Sequence, residues 1–283
     1  MKNVYRIKED ISFIKEAQEL TDEMVAKKTK VSVRTIVNII SEKVCPTYDT
    51  LEKVYSYIYE TGFRLNKTKE EILREIAKNR LFFHGSKYGI DRIEPLGSRK
   101  SCDFGPGFYL GESYSQAVSF VYDTMGSSVY AFEGSIEGLR IEEFGFDLDW
   151  MLLICYYRGM LDSYVENEKL ANLFKRVENA DLIIAPIADN KMFYIMKRFG
   201  AGEITDNVAL HSLAASNLGM QYVFKTQKAI DRLALKEQFF ISKLERKEVS
   251  TLMDERAKEI ETKLKMASRE FRQEGKFVDE LFV

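Results

Sequence analysis

Apolar residues recur at helical intervals through the first quarter of the chain. Ile11, Ile14, Ala17 and Leu20 fall every third residue, which predicts a short amphipathic helix over residues 9–20. Thr21 ahead of Asp22 and Glu23 is a good N-cap with acidic residues in the first turn, so a second helix runs to about Thr29. Ser32 caps a third helix through about Ile40, with Val33, Ile36, Ile39 and Ile40 as its inner face. Pro46 closes that stretch. Thr50 then starts a fourth helix in which Leu51, Val54, Tyr55 and Ile58 repeat at i, i+3, i+4 and i+7.

Near residue 80 the pattern becomes mixed. Short β-like runs at residues 81–83, 107–110, 128–132, 139–143, 181–187 and 221–226 alternate with glycine-bearing turns. Helical segments are expected at 113–124, where Ala117, Phe120 and Val121 point inward, and at 148–160, 168–177, 190–199, 207–215 and 226–235. From residue 243 to 275 a highly charged helix carries Met253, Ala257, Ile260, Leu264, Ala267 and Phe271 at heptad spacing. Two readings of that stripe stay open: packing along the body of the protein, or pairing with a second copy as a homodimer. The tail, with Phe277, Val278, Leu281 and Phe282, is apolar enough to dock. The expected fold class is α+β, divided into a helical domain at 1–78, a mixed-sheet domain at 79–240 and a helical extension at 241–283.

Composition narrows the partners. At 283 residues, 45% apolar and 12% aromatic, the chain can bury a large core. A net charge of -2 gives no overall basic field, so any nucleic-acid contact has to be local. Residues 1–80 carry 16 Lys and Arg against 13 Asp and Glu, which permits DNA binding without demanding it. Cys45, Cys102 and Cys155 form no CxxC pair and no cluster with histidine, so they read as reduced packing residues and no metal is expected. The longest purely apolar stretch, residues 151–157, is too short to span a bilayer, and a cytoplasmic protein without membrane contact is expected.

Three ordered segments carry the candidate chemistry. LFFHGS, residues 81–86, ends a strand with an imidazole beside a glycine whose bare backbone lets a flat ligand approach. DFGPGFYLGESYSQA, residues 103–117, is a tight turn, a short strand and a helix capped by Ser113. GMQYVFKTQKA, residues 219–229, is a strand that begins at Gln221. None of them is a phosphate loop: GxxxxGK[ST] is absent, and no GxGxxG opens a helix.

The stretch TDEMVAKKTKVSVRTIVNIISEKVCPTYDTLEKVYSYI, within residues 9–65, resembles the Xre-type helix-turn-helix of phage-repressor-like regulators. That resemblance implies a second motif helix in the major groove, with Ser32, Arg34, Thr35 and Asn38 facing DNA. The alternative is a helical scaffold that docks on the rest of the chain or on a partner.

Together the three later segments resemble the ADP-ribosyltransferase superfamily in its poly-ADP-ribose-polymerase-like branch, over residues 80–235. The resemblance implies a split mixed sheet that binds NAD as substrate. His84 would hydrogen-bond the adenosine-side ribose and the Gly85 backbone would hold the nicotinamide carboxamide. Tyr109 would stack on the nicotinamide ring, with Ser86, Gly107 and Ser113 lining the donor site. Gln221 stands where that branch has its catalytic glutamate; being neutral, it cannot act as a general base, which implies transfer of a single ADP-ribose. Glu203 and His211 lie in the connection that would meet the acceptor, whether protein, RNA, DNA or a small molecule. The implied setting is bacterial toxin or phage defence, with an antitoxin or regulatory protein as partner. The competing reading is an inactive module of the same fold that acts as a DNA-binding transcriptional regulator.

Overall fold

The computed structural model describes residues 5–188, 192–214, 219–271 and 274–283, with the backbone alone at Leu264 and Ser268. The expected helix start at Asn190 and helix end at Ala215 lie outside the described residues, as do 215–218 of the acceptor connection.

Five helices open the chain: α1 (Ile7–Ala17), α2 (Asp22–Thr29), α3 (Val33–Ile40), α4 (Tyr48–Glu60) and α5 (Leu65–Ile76). Local capping sets their starts. Thr21, Ser32 and Thr47 accept hydrogen bonds from the backbone N–H of Met24, Thr35 and Thr50. Lys30, at φ 56°, ends α2 in the left-handed conformation and turns the chain into α3. Ile11, Ile14, Val25, Ile36, Ile39, Leu51, Val54 and Ile58 fill the core of this bundle. Val33, expected on the inner face of α3, is exposed. With Ile36 and Ile39 turned inward, Val33 and Val37 share the opposite face one turn apart.

Seven strands follow among the described residues: β1 (Arg80–Ser86), β2 (Phe108–Gly111), β3 (Ser128–Gly134), β4 (Ile141–Glu143), β5 (Leu182–Pro186), β6 (Met220–Phe224) and β7 (Leu233–Phe240). Between and after them lie α6 (Tyr114–Val118), α7 (Leu148–Tyr157), α8 (Glu168–Asn179), α9 (Met192–Gly200), α10 (Asp206–Ala214), α11 (Gln227–Ile230) and the long α12 (Lys243–Glu270). The protein is α+β, with helices first, mixed strands and helices next and a long helix near the end. No helix of the described residues is long and apolar enough to cross a membrane.

The chain forms two compact units, each discontinuous in sequence. The first comprises Met1–Arg92, Ser113–Gly134 and Ala234–Leu252, and the second Ile93–Glu112, Ser135–Leu233 and Met253–Val283. In the first, β3 lies between β1 and β7, and β1 pairs antiparallel with β3 so that His84 faces Tyr130 and Ser86 faces Ser128. One face of these strands, with Phe83, Val129, Ala131 and Phe239, packs on Tyr114, Ala117 and Val121. Phe240, pointing the other way by strand alternation, joins the core of the helical bundle.

In the second unit the strand order is β4-β5-β6-β2. The β4–β5 pair is parallel; β5–β6 and β2–β6 are antiparallel. Residues Trp150 to Cys155 of α7 are all buried, and Trp150 Nε1 donates to the Pro186 carbonyl at 2.9 Å. The tail does dock: Val278 is buried, the Phe282 ring stacks on Tyr164 at 4.6 Å, and Asn167 donates to the Phe282 carbonyl at 3.2 Å. Of the heptad stripe, Ile260 and Ala267 are buried within the chain; the Leu264 side chain lies outside the described residues.

Three further expectations need correction. The helix expected over 113–124 ends at Val118, because Ser119 Oγ turns back to the Gln116 carbonyl and i→i−3 bonds to Ala117 and Val118 tighten the chain into turns. Phe120 is consequently exposed, while Val121 still points inward. The helix expected over 226–235 is only the short α11, followed by β7. Ala234, Leu235, Lys236 and Glu237 favour a helix locally, but burial of Phe239 and Phe240 on opposite faces makes the segment a strand. Of the cysteines, only Cys155 is a buried packing residue, its thiol pushed up to about 12 by burial; Cys45 is exposed.

Candidate functional site

In the first unit, His84 sits near the end of β1, half-buried and directly opposite Tyr130. Gly85 has a steric role of its own. A Cβ there would collide with the Ala117 carbonyl oxygen and come within 3.0 Å of Val121, so the glycine lets the end of α6 lie against the strand. Ser86 Oγ donates to the Gly89 carbonyl at 2.7 Å and shapes the turn after β1. Ser113 caps α6, accepting from Gln116 N at 3.2 Å. Of the DNA-facing candidates on α3, Ser32 and Arg34 are exposed, whereas Thr35 and Asn38 are half-buried.

The second unit holds Tyr109, Gly107 and Gln221. Gly105 adopts φ +69°, the left-handed region that favours glycine, and turns the chain before β2. The Tyr109 hydroxyl donates to the Gly105 carbonyl at 2.6 Å and accepts from Phe104 N at 3.0 Å. Gly107 N donates to Ser98 Oγ at 3.0 Å, and Lys225 Nζ ties the Phe104 and Pro106 carbonyls at 2.6 and 2.7 Å. Burial lowers the Lys225 ammonium to about 8 and raises the Tyr109 phenol. The aromatic ring is therefore held by its own turn.

Antiparallel pairing places Val223 opposite Tyr109 and Gln221 opposite Gly111, so Tyr109 and Gln221 share one face of the β2–β6 ladder. Gly111 has no side chain to stand over Gln221. The Gln221 side chain is buried, and its Nε2 donates to Asp103 Oδ2 at 3.1 Å and to the Pro186 carbonyl at 3.0 Å. Asp103 Oδ1 accepts from Arg158 Nη2 at 2.6 Å, and the Arg158 guanidinium lies 4.0 Å from the Phe193 ring centroid. Burial pushes the Asp103 carboxyl above its usual range, while Arg158 pulls it back.

This arrangement explains the residue type at 221. Both groups that meet Nε2 are acceptors, so an amide donor fits and a carboxylate would face a second buried carboxylate and a carbonyl. Asp103 and Arg158 were not singled out from the sequence. Asp103 had a faint signal in its place two residues before the Gly-Pro-Gly turn. Arg158, the residue that ends α7, had none.

On the neighbouring face of the same strands, Glu112 accepts from Met220 N and from the Tyr222 hydroxyl, both at 3.1 Å. Glu203 pairs with Arg198 at 3.0 Å, and the His211 imidazole stacks flat on Phe271 at 3.7 Å. Among the described residues no group of three or more His, Cys, Asp or Glu could hold a metal ion.

A family model, described as a protein of unknown function (DUF3990), matches residues 63–235, more than half of the chain. The chain belongs to the DUF3990 family. No curated protein and no solved structure matches it. The DUF3990 segment takes in His84, Asp103, Tyr109, Ser113, Arg158, Glu203, His211 and Gln221. The four helices α1 to α4, with the DNA-facing candidates on α3, and the long α12 lie outside it.

Proposed function

We propose that this protein is an NAD-dependent mono-ADP-ribosyltransferase that transfers ADP-ribose to a macromolecular acceptor and releases nicotinamide. The observation that carries the proposal is the shared face of Tyr109 and Gln221 on the β2–β6 ladder, in the segments that resemble the superfamily. Tyr109 offers an aromatic plane whose orientation is fixed by Phe104 and Gly105, suited to stacking on nicotinamide. Gln221 has its amide nitrogen tied to Asp103 and Pro186, so Oε1 is the atom that would accept from a ribose hydroxyl. In the reaction the N-glycosidic bond breaks and its electron pair leaves with nicotinamide. The acceptor nucleophile then bonds to the anomeric carbon and loses its proton. Positioning does most of the work, since the protein forms no covalent intermediate in this scheme. His84 would hold the adenosine-side ribose. The helical bundle would target or regulate the enzyme, and bacterial toxin or phage defence, in the cytoplasm and under the control of a partner protein, is the setting the reading implies.

A second reading has its own support. Ser32 and Arg34 are exposed on α3, and the neutral Gln221 brings no charge to the site, as an inactive module serving a DNA-binding regulator would have it.

The test is incubation of wild-type and His84→Ala protein with labelled NAD and a bacterial lysate, following nicotinamide release and label in protein, RNA and DNA fractions. Release should fall about a hundredfold in the variant, with label in one fraction only. Folded wild-type protein that releases no nicotinamide, or a variant as active as wild type, would overturn the transferase and leave the regulator.

A further inference from the structure

The first unit contains a cavity of about 370 Å³, within the range of small-molecule sites, about 300–1,000 Å³. Ser128 and Tyr130 of β3 and Gln238 of β7 line it, and Tyr5 and Tyr48 from the helical bundle form another part of its wall. The turn after β1 adds Lys87 and Tyr88.

The chemistry of this lining is specific. Tyr5 Oη and Ser128 Oγ lie 2.6 Å apart, and Gln238 Nε2 donates to Ser128 Oγ at 3.2 Å and to Tyr130 Oη at 3.1 Å. A phenol that accepts from an amide keeps its own proton to donate. Burial raises the Tyr5 and Tyr130 phenols, so both remain protonated at neutral pH. Among the described residues no carboxylate lines the cavity, and the charged one that does is Lys87, paired with Asp123 at 2.8 Å. Hydroxyls that both donate and accept, tyrosine rings and one cation at the margin suit a flat, neutral heterocycle that carries an anionic group outward.

Register connects the cavity to the candidate histidine. Tyr130 stands directly opposite His84 and Ser128 opposite Ser86, so all four share one face of the β1–β3 ladder. We propose that this cavity binds an adenine nucleoside group, stacked against Tyr48 and Tyr88 and hydrogen-bonded by Ser128 and Tyr130, with the helical bundle as part of the binding site. Identifying that group as the adenine end of NAD rests on the transferase reading. The N-terminal bundle then does more than carry a DNA-facing helix, because Tyr48 opens α4 and any occupant of the cavity touches the bundle directly.

The experiment titrates AMP and, separately, nicotinamide mononucleotide into the full chain by calorimetry, for wild type, Tyr48→Ala and Tyr88→Ala, alongside NAD kinetics. Tyr88 is 92% exposed, so its replacement keeps the test valid should Tyr48→Ala fail to fold. AMP should bind and nicotinamide mononucleotide should not displace it. Each variant should weaken AMP about tenfold and raise KM for NAD more than it lowers kcat. Absence of AMP binding to folded wild-type protein, or equal binding by wild type and both variants, would overturn the proposal. The two readings fail separately. Tyr88-dependent AMP binding without NAD turnover keeps the nucleoside site and removes the transferase; NAD turnover with AMP affinity untouched by the variants does the reverse.

Discussion

Each unit buries more than one carboxylate, and one from each shows how differently they are served. In the second unit Asp103 meets a guanidinium at 2.6 Å and an amide at 3.1 Å. In the first unit Glu245, near the start of α12, accepts from the Tyr114 hydroxyl at 2.8 Å and from Asn66 Nδ2 at 2.9 Å, both neutral donors. Burial raises both carboxyls. For Asp103 the attraction of Arg158 opposes it, and for Glu245 burial prevails and lifts the group to about 7. A cation in contact opposes the protonation that burial favours and holds the carboxylate toward its neighbour, and among the described residues Glu245 has only neutral donors in contact. By that criterion Asp103 is the orienting group, acting on Gln221, and Glu245 is a titratable part of the scaffold.

The sharpest way to break this comparison is Gln221→Glu, the change that would bring the residue into line with the polymerase branch. It places a carboxylate against Asp103 with no added cation, and the unit should lose about 3–5 kcal/mol at neutral pH. Stability should return as pH falls and the pair takes up a shared proton, and Asp103→Asn in the same chain should relieve most of the loss. Urea denaturation at pH 7.5 and 5.5 reads all three. Wild-type stability for Gln221→Glu at pH 7.5 would mean that Asp103 does not dictate the residue at 221.

Glu245 offers the next effect, and its sign is opposite to that of a salt-bridged acid. Its folded value of about 7 lies above its ordinary 4.5, so the folded state keeps a proton that the unfolded chain has already released. Stability from this group is complete below about 4.5, falls as pH rises to about 7 and is level above that. The total amounts to about 3 kcal/mol. Asp103 and Glu237, also raised by burial, tilt the curve the same way in any variant that keeps them. The Glu245 share is therefore the difference between wild type and Glu245→Gln across pH 4.5 to 7. Parallel curves for the two proteins would remove Glu245 as the titrating group.

What could be read from the sequence divides along the same physical line. Helix starts at Thr21, Ser32 and Ser113 were legible because a cap joins residues two or three positions apart, and the strands bearing His84, Tyr109 and Gln221 were legible from alternation and glycine turns. Contacts made by tertiary folding were not. Asp103 reaches Arg158 and Gln221 only once separate strands and a helix end converge, so nothing near Arg158 marks it. β7 was hidden because Ala234 to Glu237 favour a helix and only pairing beside β3 overrides them. In the sequence Gly85 suggests room for a ligand, whereas the packing of α6 supplies a sufficient steric reason for it.

The smallest effect sharpens the comparison from the side of Glu245. The superfamily resemblance implies a donor-site role for Ser113, yet in the structure its hydroxyl accepts from Gln116 N and starts the helix whose first residue, Tyr114, donates to Glu245. Losing an N-cap costs about 1 kcal/mol, so Ser113→Ala should lower stability by that amount. Because the Tyr114 to Glu245 bond itself remains, the pH slope between 4.5 and 7 should keep its wild-type size. A flattened slope would show that the cap holds Tyr114 on the carboxyl. An unchanged stability with a raised KM for NAD would instead move Ser113 from the frame of the helix to the donor site.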